Sequence, residues 1–526
     1  MKRKSFASLT FLSRRVLVSV VIFFAGTILA LFAKANPRIL PQELSSLTPS
    51  GTPQTAWVSI YDGPANDEDA ATAIGIDESG NVYVTGRSIG TSYPDFDYVT
   101  IKYNSAGQQL WVARYDGPGN YADRATAIAL DGMGNVYVTG ESFNANGNTD
   151  YATIKYNSAG QQQWVARYNG PANADDSAVS IAVDSSGNAY VTGTIRNPGR
   201  VGDYATIKYD ATGQQQWVAM YDGPGALDDS ASALALDASG NTYVTGRSQG
   251  AGFDDDYATI KYNSAGQEQW VMRYGGPGYD EAKAIVLDGS DNVYVTGVDY
   301  AMGTLDDYAT IKYNSAGEQQ WAVRYNGGEG SDDTATALVV DLMGNVYVTG
   351  QSYGPESDYD YVTVKYDSAG QERWVARYGG PAQLGDYPTA IAVDTAGNVY
   401  VSGLSRNAFD YDYATIKYSP AGQQRWVARF NGAGFDNDEA SAIAVDQSGN
   451  VYVTGMSTGP GRTFDCATIK YEQGSTPSPT PTVTPSPTST PTPSPTVTPT
   501  TSPTPTATPR VTPRSRPIPH NRPTPP

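Results

Sequence analysis

Histidine and cysteine are almost missing from this chain: its 526 residues contain one of each. The histidine, His520, lies in a proline-rich tail. Neither a Ser-His-Asp triad nor a histidine-based metal site can therefore be assembled within one folded chain. Cys466 has no partner for an internal disulfide. Positive charge is scarce in the middle of the chain. Residues 36–474 hold 25 Lys and Arg against 54 Asp and Glu, a formal charge of −29, compared with −19 overall. Such a field repels a phosphate backbone, so no nucleic-acid partner is expected. Cations, basic proteins and neutral glycans suit it.

Both ends differ in kind from the middle. Lys2, Arg3, Lys4, Arg14 and Arg15 precede an apolar run from Val16 to Ala33, followed by the small-x-small pattern Ala33-Lys34-Ala35. This predicts a signal peptide over residues 1–35, cleaved after Ala35. The alternative is an uncleaved anchor, the one expected contact with a membrane. Either reading sends the following chain outside, to a secreted or cell-surface location. No cysteine follows the run, which excludes a lipoprotein anchor. A linker is expected over residues 36–56. After it comes the folded region, 57–472, and then a Pro/Thr/Ser-rich tail, 473–526, with 18 of the 34 prolines after Gly474. A tail so poor in apolar side chains cannot offset its ordering entropy and is expected to be disordered.

Between the ends the chain repeats. The eight tryptophans Trp57, Trp111, Trp164, Trp217, Trp270, Trp321, Trp374 and Trp426 fall at intervals of 54, 53, 53, 53, 51, 53 and 52 residues. A period near 50 marks blades or a solenoid. Within one copy four short strands are predicted: Trp164–Tyr168, the small-apolar Val179–Val183, Asn188–Thr194 and Tyr204–Tyr209, with tight turns between them. Glycine supplies positive φ in these turns, and Asp291 takes its place once. Nothing in the unit has helical periodicity.

Four-stranded antiparallel sheets around an axis form a β-propeller, with small residues in the innermost strand, where the blades converge. With strands a to d named from the axis outward, tryptophan opens strand d. Trp57–Tyr61 is a d strand with no preceding a-b-c set, and the last set, ending at Ile469–Tyr471, has no d strand after it. Pairing them removes both sheet edges and closes an eight-bladed ring. The fold class is thus all-β, an eight-bladed β-propeller; an open solenoid offers no reason for the match.

The NVYVTG segments Asn81–Gly86, Asn135–Gly140, Asn345–Gly350 and Asn450–Gly455, each preceded by a small-apolar strand and Asp, resemble the bacterial secreted β-propeller repeat usually labelled seven-bladed. The resemblance covers residues 57–472 and departs from the family's name in its eight copies. It implies an exported location more than an activity.

In a propeller the b-to-c and d-to-a connections share one face. Here the b-to-c loops vary (IGTSYPDF, FNANGNT, IRNPGRVG, YAMGTLD), while the turns of the opposite face are nearly uniform. Variety on a rigid scaffold places any ligand on the loop face or in the channel mouth. The same face carries the acidic d-to-a loops, whose candidates are Asp67, Asp69, Asp123, Asp175, Asp176, Asp228, Asp229, Asp280, Glu281, Asp332, Asp333, Asp386, Asp436 and Asp438. Calcium, which takes hard oxygen ligands, suits such a set, although no calcium-loop spacing is present. The competing reading makes one Asp per blade a cap on the entry to strand a. The tryptophans are read as packing between blades, Cys466 as a buried strand residue standing where other blades have Tyr, and Lys102, Lys155, Lys208, Arg114 and Arg167 as outer-strand charges paired with Asp.

A tryptophan four residues after the c-to-d glycine also resembles the docking motif of eight-bladed quinoprotein dehydrogenases, but the adjacent cysteines of many such enzymes cannot exist here. No catalytic motif stands out. The expectation is a monomeric binding or scaffold protein for an extracellular protein or cell-wall glycan. The alternative is a carboxylate-dependent polysaccharide hydrolase or lyase, since paired acids suffice for glycosidic chemistry. An asymmetric site would draw on Arg124, Lys283 and the Tyr387-Pro388 segment, which break the repeat.

Overall fold

The computed structural model describes residues 53–473 except 91–94, 120, 198–200, 253, 302–304, 329–330, 355–357 and 435. The expected signal segment and tail lie outside the described residues, as does nearly all of the expected linker. All named elements are β-strands, and they form eight four-stranded antiparallel sheets. Blade 1 comprises Asp69–Ile76, Val82–Ile89, Phe96–Tyr103 and Gln109–Tyr115, strands a to d in order. Blades 2 to 7 repeat this arrangement along the chain. Blade 8 takes Asp438–Val445, Val451–Thr458 and Phe464–Glu472 from the C-terminal end and its d strand, Gln54–Tyr61, from the N-terminal end. The two segments pair antiparallel from Gln54↔Glu472 to Tyr61↔Cys466. Strand a of each blade touches strand a of the next all the way round, including the last with the first. The ring is closed.

Strands a to c extend about two residues beyond the expected bounds toward the loop face, strand a of blade 3 running Ser177–Val183 rather than Val179–Val183, whereas the expected d strand Trp164–Tyr168 is extended at its start, from Gln162. For strand a the cause is a register shift against strand b, between Ala178 and Ser180 here, that recurs in every blade. A bulge breaks the two-residue alternation on which a sequence reading depends, while pairing continues past it.

The NVYVTG segment explains itself in three dimensions. Tyr83 is fully buried, and its hydroxyl donates to Asp77 Oδ2 at 3.0 Å. The same Asp accepts from Asn81 Nδ2 at 2.7 Å and from the Ser79 and Asn81 amides, which sets the a-to-b turn. A Cβ on Gly86 would lie 1.9 Å from the Ala70 carbonyl oxygen, so only glycine fits beside the bulge. Asp291 takes the turn position left by glycine, with φ 58°.

Blades are joined by two aromatic devices. Each tryptophan packs between the strand-b tyrosine of its own blade and the strand-c tyrosine of the next, as Trp217 does with Tyr190 and Tyr262. Its Nε1 donates to the next blade's c-to-d turn, from Trp57 to Ser105 O at 3.1 Å through Trp374 to Pro420 O at 3.1 Å. Where the chain has no further c-to-d turn, Trp426 reaches the side-chain oxygen of Gln473 instead, at 3.5 Å. Gly107 shows why that turn needs glycine: φ is +80°, and a Cβ would meet the Trp57 ring at 2.6 Å. Deeper in, buried strand-c tyrosines donate to carbonyls of the neighbouring strand c, such as Tyr98 to Ala152 O at 3.3 Å and Tyr204 to Ala258 O at 3.3 Å. In blade 8 the position belongs to Cys466, free and fully buried, and burial pushes its thiol well up.

One expectation is corrected. Lys102, Lys155 and Lys208 do not owe their places to carboxylates. Their ammonium groups lie 4.7, 4.8 and 4.9 Å from the ring centroids of Tyr83, Tyr137 and Tyr190. They donate to Ser158 O, Ala211 O and Ser264 O in the next blade. The ring face and the turn carbonyl are the partners these ammonium groups meet on that side of the strand.

Candidate functional site: the loop face and its carboxylates

The d-to-a loops and the b-to-c ends meet on one face, as seen where the Asp123 and Asp176 amides donate to Phe96 O and Thr149 O at the starts of strands c. The acidic candidates divide into two sets there. Asp69, Asp123, Asp176, Asp229, Asp280, Asp333, Asp386 and Asp438 are all buried. One oxygen of each accepts from a loop glycine amide: Gly63, Gly117, Gly170, Gly223, Gly276, Gly327, Gly380 and Gly432. In most blades the other oxygen accepts from the amide at the end of strand b, as Asp123 does from Phe143 at 2.9 Å and Asp438 from Thr458 at 3.0 Å. Six of the eight thus cap their loops with both oxygens on backbone amides, while Oδ1 of Asp69 and of Asp333 is buried without a hydrogen-bond partner.

The second set lies further out. Asp175 and Asp228 accept from the Thr149 and Gly202 amides, tying the loop to the start of strand c. Asp67 and Asp436 accept from the amides that follow them. Asp332 accepts from the Tyr359 hydroxyl at 3.4 Å. Glu281 pairs with Lys283 at 2.5 Å, and Arg124 pairs with Glu141 at 2.9 Å, so two of the asymmetric residues are engaged locally.

Guanidinium groups complete the cap region in most blades. Arg114, Arg167, Arg273, Arg377 and Arg429 on strand d pair with Asp97, Asp150, Asp256, Asp360 and Asp412 on strand c, at 2.6–3.0 Å. In blade 5, Arg324 turns to Asp299. Blade 3 has Met220 and blade 8 has Ile60 at this position. In those two blades three carboxylates converge without the arginine: Asp203, Asp222 and Asp229 in one, Asp62, Asp69 and Asp465 in the other. A third group, Asp95, Asp97 and Asp116, keeps Arg114 against Asp97. These convergences were not foreseen, because their members lie in different strands and loops; the replacement of Arg in the WVARY pattern was the signal available.

Burial pushes Asp69, Asp123 and Asp176 up to about 6. Asp280, buried and beside Asp299, rises to about 7. Such groups bind a proton more tightly folded than unfolded, so their contribution to stability is full below pH about 4 and is lost as pH rises through 6 to 7. With a chelator present, the thermal midpoint is expected to climb by a few degrees as pH is lowered from 8 to 5. Calorimetry across that range checks this, and a midpoint that falls on acidification contradicts it.

The third asymmetric candidate leads to an extended departure from eightfold repetition among the described residues of this face. Tyr387, at the start of blade 7, stands in a row of rings. Tyr353 and Tyr359 have centroids 5.3 Å apart, Tyr359 and Tyr387 5.8 Å, and Tyr387 and Tyr411 6.1 Å. Arg406 lies 5.6 Å from the Tyr411 ring. Tyr353 is 38% exposed, and Phe409, two residues before Tyr411, is 92% exposed. The row draws on the b-to-c ends of blades 6 and 7 and on the first residues of strand a in blade 7, Asp386–Val393.

This geometry defines the class: an eight-bladed β-propeller with a structural ring of aspartates and a variable loop face. Six segments, residues 63–94, 163–198, 269–298, 320–355, 373–410 and 425–462, match the beta-propeller repeat family, and the chain belongs to it. A WD repeat-containing protein of Acanthamoeba polyphaga mimivirus is 25% identical over 410 residues, 69% of this chain and 26% of that protein. Regulatory protein FlaEY of Caulobacter vibrioides is 29% identical over 269 residues, 40% of this chain and 27% of that protein. The chain thus spans about a quarter of the length of these curated relatives. Among solved structures, Chaetomium thermophilum Sqt1 bound to the N-terminus of a ribosomal protein aligns with a TM-score of 0.53 at 9% identity, over 80% of this chain and all of that one. At that identity the likeness is one of fold alone.

Proposed function

We propose that this protein is an exported binding scaffold, secreted or held at the cell surface, whose rigid propeller presents the loop face to an extracellular glycan or protein. The observation that carries the reading is the tyrosine row over blades 6 and 7. Four rings from four separate strand ends join in one row here, whereas the corresponding strand ends of other blades carry single aromatic residues, such as Phe96 in blade 1, Phe143 in blade 2, Tyr300 in blade 5 and Phe464 in blade 8. Tyrosine offers an apolar face and a polar edge in one side chain, which suits stacking against sugar rings and hydrogen bonding to their hydroxyls. Asp332 beside Tyr359 supplies an acceptor at the same place. Support for export comes from the basic residues, apolar run and Ala33-Lys34-Ala35 at the start of the chain. A glycan is the favoured ligand.

The test is direct binding of soluble cell-wall polysaccharides to the purified chain, compared with Tyr359→Ala and Tyr387→Ala variants. Truncation of rings that anchor a ligand is expected to weaken binding by about 10-fold or more. The thermal midpoint should stay near that of the parent, because the row lies outside the inter-blade cores. Binding unchanged in the double variant would remove the loop-face assignment.

A further inference from the structure

Blade 8 is where the two ends of the propeller meet, and it departs from most other blades at one electrostatic position. In five blades a strand-d guanidinium neutralises the strand-c aspartate beside the cap. Blade 8 has the strand-c aspartate, Asp465, but Ile60 in place of the arginine. Asp465 is 6% exposed, and its Oδ1 has no hydrogen-bond partner. A buried carboxylate with neither donor nor counter-charge is costly, and the fold supplies a cation at this point elsewhere in the ring. Two further carboxylates face it: Asp62, just past the closing strand, and Asp69, the cap of blade 1, with one oxygen of each of the three within 4.8 Å of the others. A pocket of about 260 Å³ opens against Asp465, lined also by Val58, Ile60, Phe430 and Ser457.

We propose that Asp62, Asp69 and Asp465 bind a calcium-sized divalent cation, and that this ion clips the N-terminal closing strand to the C-terminal strand. Calcium takes oxygen ligands at about 2.3–2.6 Å, so oxygens on opposite sides of the ion stand nearly 5 Å apart, which the observed spacing accommodates. The ion replaces the missing guanidinium with a charge that three carboxylates share. Blade 3 supplies the internal contrast. It also lacks the arginine and gathers Asp203, Asp222 and Asp229, but the Asn197 side-chain amide donates to Asp203, so that carboxylate already has a partner. The proposal is therefore confined to the closing blade and is independent of the ligand on the loop face.

Cys466, the one cysteine of the chain, is buried next to the proposed site on the strand that the ion would hold, so its reactivity reports on opening of the ring. The experiment uses the full chain, stripped with a chelator and titrated with calcium chloride. Heat of binding and the rate of Cys466 modification by a thiol reagent are measured together. A saturable heat is expected, and at calcium about 100-fold above Kd the labelling rate should fall about 100-fold. Asp62→Asn, at an exposed position, should weaken binding by about 10-fold or more and, by removing one of the three gathered charges, slow labelling in the absence of calcium. Ile60→Arg should install the guanidinium of the other blades, slowing labelling without calcium and abolishing the heat. Absence of heat together with calcium-independent labelling in the parent chain would overturn the proposal. A titration unaltered by both substitutions would do the same by placing the ion elsewhere.

Discussion

Deletion of Gln54–Tyr61 is expected to abolish cooperative folding of the propeller. This strand makes seven register pairs with the strand that ends at Glu472, and it supplies Trp57, which packs against Tyr103 and Tyr452 and donates to Ser105 O. Backbone hydrogen bonds contribute about 1 kcal/mol each net, and loss of a packed tryptophan costs about 3–5 kcal/mol. The sum is of the order of the whole stability of a typical domain, about 5–15 kcal/mol. The deletion also uncovers the edge of a long strand, a template for pairing between chains. Circular dichroism melting and size-exclusion chromatography are the measurements. A sharp transition at the parent midpoint from a monodisperse deletion variant would show that ring closure does not hold the fold.

The second large effect belongs to an internal tryptophan. Trp217→Ala removes ring contacts with Tyr190 and Tyr262, 6.1 and 6.5 Å between centroids, and leaves Ser264 O without its indole donor at 3.2 Å. It also strips the cover from the Gly266 turn, where a Cβ would lie 2.6 Å from the ring. Because the ring bridges blades 3 and 4, the substitution cuts inside the array and does not merely loosen one sheet. A loss of about 3–5 kcal/mol is expected in urea denaturation, with a lower slope if neighbouring blades no longer unfold together. Trp217→Phe keeps an aromatic ring but not the donor, so its loss should be smaller by the worth of the ring packing. Equal losses for the two variants would assign the whole effect to the hydrogen bond.

Much of this architecture is legible in the residues because a propeller is periodic. The recurrent Trp, the small-apolar strand a and the NVYVTG segment each report a local environment that repeats about every 50 residues. The orphan strand at Trp57 and the incomplete set at Cys466 follow from counting. The Asp caps are half legible: one acid per d-to-a loop can be anticipated, but not which of Asp175 and Asp176, or of Asp332 and Asp333, turns inward. Adjacent loop residues have no period that assigns them to a face. The lysine contacts are not legible in the sequence, because the ring and carbonyl that receive them belong partly to the next blade, about 50 residues away.

What the sequence determined by itself is the unit, its number and its closure, since strand alternation, turn chemistry and copy count are local or additive properties. Only the tertiary structure decided where the repeats stop being equivalent. The tyrosine row joins residues from separate loops of two blades, and the carboxylate group in blade 8 joins Asp62 to Asp465 across the whole length of the propeller. The physical reason is that hydrogen-bonded turns and apolar faces are satisfied by near neighbours, whereas ring stacking and charge compensation depend on distances that exist only once the ring has closed.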